Sequence, residues 1–383
     1  MGLGSAAAGP QRVAVTLAGD KPATPGLGGG AAPARSDSVA GADSEGSRMK
    51  RVAIFAGLGG LALTAALVAV FGARAVAHSF FAVGLPGFAA ISTIHLALLA
   101  LMGLAWRGLV AAAPTGAFIA ARIVREAGSE VLPLSPIGGC VLGARALILA
   151  RVPGAAAAAS TIVDLTLEFL AKLAYTALGL VLLLSLRPKS PIAMPLAMGL
   201  AVASLAAAGF VVAQRRGWQV FDRIARALGR GWAERTAAGA AALRQALALC
   251  YRRVSGLWLG FSLHLVCWVA ATSETWLVLR LLGSALSFKT VLVLDSLLYA
   301  VRTFAAVIPS AFGVQEGAYI LIGAGFGLAP QTALAVSLVK RARDLAIGLP
   351  ALAVWQAVEG GRLWRRRTTA AETPVRPAVR RDV

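Results

Sequence analysis

Long apolar stretches dominate this chain. Leu85–Ala105, Ala155–Leu186, Ile192–Ala213, Val254–Leu282 and Thr332–Val358 each reach twenty residues or more. A helix needs about 20 apolar residues to cross a bilayer core of about 30 Å. Inside hydrocarbon the backbone has no water to bond, and continuous apolar runs of this length satisfy their own N–H and C=O groups only as helices. Of 383 residues, 58% are hydrophobic and 14% are charged, which excludes an ordinary soluble domain. The fold class is therefore all-α, a polytopic integral membrane protein. Further apolar helices are expected over Val52–Phe71, Thr290–Ile308 and Val314–Leu328. Val110–Val131 and Ile137–Ala150 are shorter or more polar. They read as tilted spans or as a helical hairpin that enters and leaves on one side.

The ends differ from this body. Residues 1–48 are rich in Ala, Gly, Ser and Pro, lack periodicity, and carry four basic against four acidic residues, so they are expected to be disordered. Met49-Lys50-Arg51 before an apolar run reads as a natural start and the preceding tail as an over-extended one. The segment after it is too long for a cleaved signal core, so an uncleaved first helix is expected. The transmembrane domain then covers 49–361, and 362–383 forms a basic tail. Lys50 and Arg51, the segment Gln214–Arg253 with nine basic against two acidic residues, and the tail from Arg362 with seven against two all point to the cytoplasm. The candidate outer loops, Gly72–Ser79, Arg187–Pro191 and Gly283–Lys289, are short and carry few charges. The net charge of +20 thus follows from topology and does not imply nucleic acid. Trp218, Val220, Phe221, Ile224 and Leu228 alternate with arginines at near-helical spacing, a pattern that suits anionic headgroups.

Two interruptions of the apolar pattern match each other. Glu126-Ala-Gly-Ser-Glu130-Val-Leu-Pro133 leads to Gly138-Gly139, and Arg302-Thr-Phe-Ala-Ala-Val-Ile-Pro309 leads to Gly313-Val-Gln315-Glu316-Gly317. A second proline follows in each case, 20 residues after Pro133 at Pro153 and 21 after Pro309 at Pro330. Such paired breaks mark repeat-built transporters with a site at the repeat interface. Ala155–Leu186 precedes an outer loop and one further span ending at the basic segment, so it runs outward. Thr332–Val358 ends at the basic tail, so it runs inward. The two corresponding helices are antiparallel and the repeat is inverted, with repeat one about 110–186 and repeat two about 290–358, each built on Pro/Gly-broken or re-entrant helices.

Charges inside the apolar segments are costly and normally face protein or a water-filled cavity. In repeat one, Asp164, Glu168 and Lys172 share a helical face. Arg122, Arg125, Glu126 and Glu130 precede the break and Arg145 follows it. In repeat two, Asp295 and Arg302 lie two turns apart, Gln315 and Glu316 follow the break, and Lys340, Arg341, Arg343 and Asp344 sit inside the final helix. The expected substrate-binding or translocation set is Arg125, Glu126, Arg145, Asp164, Glu168, Arg302, Gln315, Glu316, Lys340, Arg341, Arg343 and Asp344. In it, Glu316, Asp164 and Glu168 compensate Arg341 and Arg343, and the arginines serve as bidentate partners of a phosphate or carboxylate. Salt bridges that only fix helix packing are the alternative.

Other signals are weaker. Cys140, Cys250 and Cys267 have no metal spacing and read as core. His95 and His264 read as interhelical hydrogen bonds before proton relays. Gly57–Gly60 and Gly323–Gly327 suit close helix packing. Trp106, Trp355 and Trp364 are expected at the membrane interface. No phosphate-cradling glycine loop of the ATPase kind occurs, and no cofactor is implied.

The stretch Arg122-Ile-Val-Arg125-Glu126 … Leu132-Pro133 … Gly138-Gly139 … Gly143-Ala-Arg145, with Asp164-Leu-Thr-Leu-Glu168, resembles the lysylphosphatidylglycerol synthase transmembrane-region family. So does Pro309-Ser-Ala-Phe-Gly313-Val-Gln315-Glu316-Gly317 … Leu338-Val-Lys340-Arg341-Ala-Arg343-Asp344. The resemblance runs from about Lys50 to Trp364, and its closest flavour is the hopanoid-biosynthesis-associated membrane subgroup. It implies a bacterial inner-membrane protein related to the lipid-flipping half of the aminoacyl-phosphatidylglycerol proteins. No soluble acyltransferase domain follows Trp364, so the name-giving synthesis is not implied. The expected function is a flippase-like lipid transporter, with a hopanoid or anionic phospholipid as partner and hopanoid-biosynthesis enzymes as possible neighbours. The rival readings are a membrane enzyme that modifies a lipid headgroup, with Asp164, Glu168 or Glu316 as acid or base, and a non-catalytic scaffold.

Overall fold

The apolar segments become helices because nothing else satisfies their backbone, and no strand occurs among the described residues. The computed structural model describes residues 66, 69, 73–110, 113–131, 135–216, 230–304 and 311–371. Outside them lie the tail 1–48, Gly57–Gly60, nearly all of the expected first helix Val52–Phe71, both break prolines Pro133 and Pro309, the aromatic and apolar positions Trp218, Val220, Phe221, Ile224 and Leu228, and the chain beyond 371. The side chain of Trp364 is likewise outside the description.

In chain order the described helices are α1 (Ala73–Ala82), α2 (Gly84–Arg107), α3 (Thr115–Val131), α4 (Ser135–Leu149), α5 (Gly154–Leu186), α6 (Ala193–Arg216), α7 (Arg230–Arg252), α8 (Val254–Leu281), α9 (Phe288–Phe304), α10 (Val314–Ala324) and α11 (Pro330–Ala371). Four of them, α2, α5, α6 and α8, are long and apolar enough to cross a bilayer. With 42 residues α11 is also long enough, although it carries charges. The protein is an all-α polytopic membrane protein. Its outer surface agrees: α6 exposes Met194, Met198, Val202, Leu205 and Phe210 by more than half, an apolar face suited to lipid rather than water. One expected loop is corrected. Most of Gly72–Ser79 lies in α1, because Ala73-Arg-Ala-Val-Ala-His-Ser-Phe-Phe-Ala82 buries Val76 against the core and packs on α11.

Five of the described helices have 17 residues or fewer, among them α3, α4 and α10. At 1.5 Å per residue, the 17, 15 and 11 residues of α3, α4 and α10 reach about 25, 22 and 17 Å, short of the hydrocarbon thickness. Over the stretches Val110–Val131 and Ile137–Ala150 the chain forms two helices, α3 and α4, that pack antiparallel. α3 and α4 pack together, and glycines let their backbones touch: a Cβ on Gly139 would lie 2.5 Å from Arg125 O, and one on Gly143 would lie 2.9 Å from Arg125 Cβ. The expected span Val314–Leu328 is likewise corrected to the short α10, which ends where Gly325 to Gly327 turn the chain toward α11.

The two halves repeat one scheme: a long helix (α2 or α8), a first arm (α3 or α9), a second arm (α4 or α10) and a second long helix (α5 or α11). First arms cross over, with α3 packing on α11 and α9 on α5, whereas second arms pack on their own long helix, α4 on α5 and α10 on α11. The leading helices meet along their length. Gly87 touches Leu281, His95 bonds Glu274, Leu98 O accepts from Cys267 and Gly108 meets Gly256. Numbers rise along α2 as they fall along α8, so the pair is antiparallel and the repeat is inverted. The register that carries Gly154 onto Pro330 also carries Arg151 onto Gly327, both with positive φ (67° and 79°). The same shift carries Glu126 onto Arg302, Asp164 onto Lys340 and Glu168 onto Asp344.

Candidate functional site

A cavity of about 370 Å³ lies where the two repeats meet, lined from repeat one by α2, α3, α4 and α5 and from repeat two by α8, α9 and α11. Its walls mix Leu98, Leu99 and Met102 with Arg122, Arg125, Lys172, Arg302 and Arg343 and with Glu126, Glu130, Glu168, Glu274 and Asp344. Charges in such a place persist only if they compensate one another, and the geometry shows how they do.

On the repeat-one side, α3 places Arg122 and Arg125 one turn apart facing α5, which presents Asp164 and Glu168 one turn apart. Arg125 donates to Asp164 Oδ2 at 2.6 Å and to Glu168 Oε2 at 2.7 Å. Arg122 donates to Glu168 Oε2 at 2.6 Å and to Glu126 Oε2 at 2.9 Å. Lys172 lies 3.0 Å from Glu168 Oε1 and sits 4.7 Å from the Trp268 ring centre. Three cations therefore face three carboxylates. From α8, His264 Nε2 meets the second oxygen of Asp164 at 3.0 Å.

On the repeat-two side the pairs are separate. Arg302 donates to Glu130 at 2.8 Å, joining the first arms of the two repeats. Lys340 donates to Thr275 at 2.9 Å and lies 3.8 Å from Asp295, which also accepts from Tyr319. Arg341 holds Glu316, whose carboxylate also accepts from Ser337 at 3.0 Å and from the Gly313 N–H at 2.8 Å. Gly313 has φ of 76°, a conformation glycine adopts without steric cost, and Glu316 three residues later bonds the free N–H at the start of α10. Gln315 donates to Ser337. Arg343 pairs with Glu274 of α8 and with Asp344, and His95 Nδ1 lies 3.1 Å from the other Glu274 oxygen.

Of the twelve residues expected at the site, six line the cavity: Arg125, Glu126, Glu168, Arg302, Arg343 and Asp344. Asp164 is fully buried behind Arg125. Gln315, Glu316, Lys340 and Arg341 form the second row, tying α10, α8 and α9 to α11. Arg145 faces outward and pairs with Glu359. The expected compensation is half right: Glu316 holds Arg341, but Asp164 and Glu168 belong to Arg122 and Arg125 of their own repeat. They do so because α3 packs directly beside them as a hairpin arm. Arg343 is held instead by Glu274, which sequence reasoning missed together with Trp268. A lone glutamate in the apolar run Val254–Leu282 was the available signal. Trp106 is corrected from interface anchor to core: it is fully buried and donates to Ser160 at 3.1 Å. Cys250 and Cys267 are buried. No group of three or more potential metal ligands occurs among the described residues.

With this geometry in hand, residues 57–351 match the family described as lysylphosphatidylglycerol synthase TM region. That match spans most of the chain and ties it to a lipid-related function in the membrane. No curated protein and no solved structure matches the chain.

Proposed function

We propose that the chain, which belongs to the lysylphosphatidylglycerol synthase TM-region family, is a flippase-like transporter that moves a polar-headed lipid, a hopanoid or an anionic phospholipid, across the bacterial inner membrane. The observation that carries this reading is the charged cavity at the junction of two inverted repeats. A lipid's tails remain in the bilayer while its headgroup crosses, so only a polar path of headgroup width is required. Re-entrant arms from opposite directions supply such a path, and exchange of arginine partners between resident carboxylates and a headgroup lets the load move without baring a charge to hydrocarbon. Each of the five carboxylates lining the cavity is already ion-paired to an arginine. The resident acids thus serve charge compensation, the role a headgroup path asks of them. The C-terminus and the basic segment before α8 are assigned to the cytoplasm.

The test is reconstitution of the full chain into vesicles carrying fluorescent phosphatidylglycerol or a fluorescent hopanoid, with a membrane-impermeant quencher added outside. Protein-dependent access to the inner-leaflet pool of one of them is expected. Protection equal to that of protein-free vesicles for both lipids overturns the transport reading.

A further inference from the structure

One corner of the cavity does not balance its charges. In the repeat-one cluster three permanent cations meet three acids, and Lys340 meets Asp295. Here a single permanent cation, Arg343, faces two carboxylates, Glu274 and Asp344, with His95 bonded to the first. The four groups come from α2, α8 and α11, and all four line the cavity. Glu274 is 1% exposed and Arg343 4%, so an uncompensated negative charge there lies within a low-dielectric wall. Such a charge costs several kcal/mol and is ordinarily relieved by taking up a cation.

We infer that the His95–Glu274–Arg343–Asp344 cluster is a one-proton binding site of the cavity, with the proton carried on the His95 imidazole and shared with Glu274. The inference rests on the cavity being the headgroup path, and it adds a linkage between lipid movement and proton movement. Arg343, Lys340, Asp344 and Glu126 are the charged groups around the imidazole, with Glu274 in direct contact. Protonating His95 makes the cluster neutral, and the imidazole keeps 16% of its side-chain surface open beside the cavity it lines, from which water delivers the proton. His264 is the natural contrast. It touches Asp164, which already has Arg125, and it is fully buried.

The test uses the full chain in lipid nanodiscs with nitrogen-labelled histidine. There are only three histidines, so His95→Gln assigns the signal. The expected result is a His95 ring that converts between neutral and doubly protonated forms between about pH 5 and 8. Its midpoint should fall by about one pH unit, a tenfold weaker hold on the proton, in Glu274→Gln. Asp344→Asn makes the same test should Glu274→Gln fail to insert. A His95 ring that stays neutral throughout, or a midpoint unmoved in both variants, overturns the site. In vesicles carrying fluorescent phosphatidylglycerol, a gradient of about one pH unit should change the inward-to-outward flux ratio by up to about tenfold in the wild type, and by nothing in His95→Gln. A wild-type ratio indifferent to the gradient overturns the linkage. Absence of all flux with a normally titrating His95 sinks the transport reading and leaves the proton site standing.

Discussion

At the scale of single residues, the charges divide by what surrounds them. Asp164 is fully buried between Arg125 and His264, so Asp164→Asn leaves three cations facing two carboxylates and should cost about 3–5 kcal/mol. Thermal unfolding of the purified protein in detergent measures this, and a melt unchanged from wild type would contradict it. Lys172 differs, because 30% of its side chain is exposed on the cavity side and half-solvated pairs contribute little stability. Lys172→Ala should leave the melt within about 1 kcal/mol of wild type. Flux per inserted molecule should nonetheless fall by about tenfold or more, the worth of one charge-assisted hydrogen bond to a headgroup. Equal losses of melt and flux would assign Lys172 to packing alone. Arg151 offers a third case. It holds φ of 67° where its repeat partner is Gly327, and a left-handed residue with a Cβ carries about 1–2 kcal/mol of strain. Arg151→Gly should therefore raise the melting temperature, and a lower one would show that the arginine makes a compensating contact.

At the scale of elements, glycines set how closely helices approach. A Cβ on Gly179 of α5 would fall 1.7 Å from Ser296 Oγ of α9. This is where the first arm of repeat two crosses onto the long helix of repeat one. Gly179→Leu should push the pair apart and cost about 1–3 kcal/mol in the unfolding measurement. Adding Ser296→Gly opens space at the same contact and should recover part of the loss. Strict additivity of the two changes would mean that the helices do not meet there. Gly139 and Gly143 do the same between α3 and α4. Only the short hairpin arms, not the spans, bring Arg122 and Arg125 beside Asp164 and Glu168.

At the scale of the whole molecule, antiparallel α2 and α8 fix how the two repeats face. His264 lies beside Asp164, Trp268 beside Lys172 and Thr272 beside Tyr175, so α5 runs parallel to α8. The turns after these two helices, at Ser190 and Ser284, then lie on one side of the membrane. Reporter fusions at Gly231 and Val383 should read cytoplasmic, and cysteines placed at Ser190 and Ser284 should react with an impermeant reagent from outside. Labelling of those two positions from opposite sides would break the inverted-repeat reading.

The sequence by itself determined the class, because runs of twenty apolar residues have no other folded solution in a bilayer. It also determined the repeat, because the Pro/Gly breaks and the charged positions keep one register in both halves. It showed most of the charges that the fold buries, since a glutamate or arginine within an apolar run is visible without a structure, although Glu274 was passed over. It did not determine who pairs with whom. Arg125 finds Asp164 and Glu168 because α3 folds back as an arm, and Arg343 finds Glu274 because α8 and α11 pack side by side; neither neighbour is near in sequence. Helical periodicity fixes the face a side chain occupies, and only tertiary packing decides what that face meets. The cavity, the excess carboxylate beside His95 and the burial of Trp106 all belong to that second kind of information.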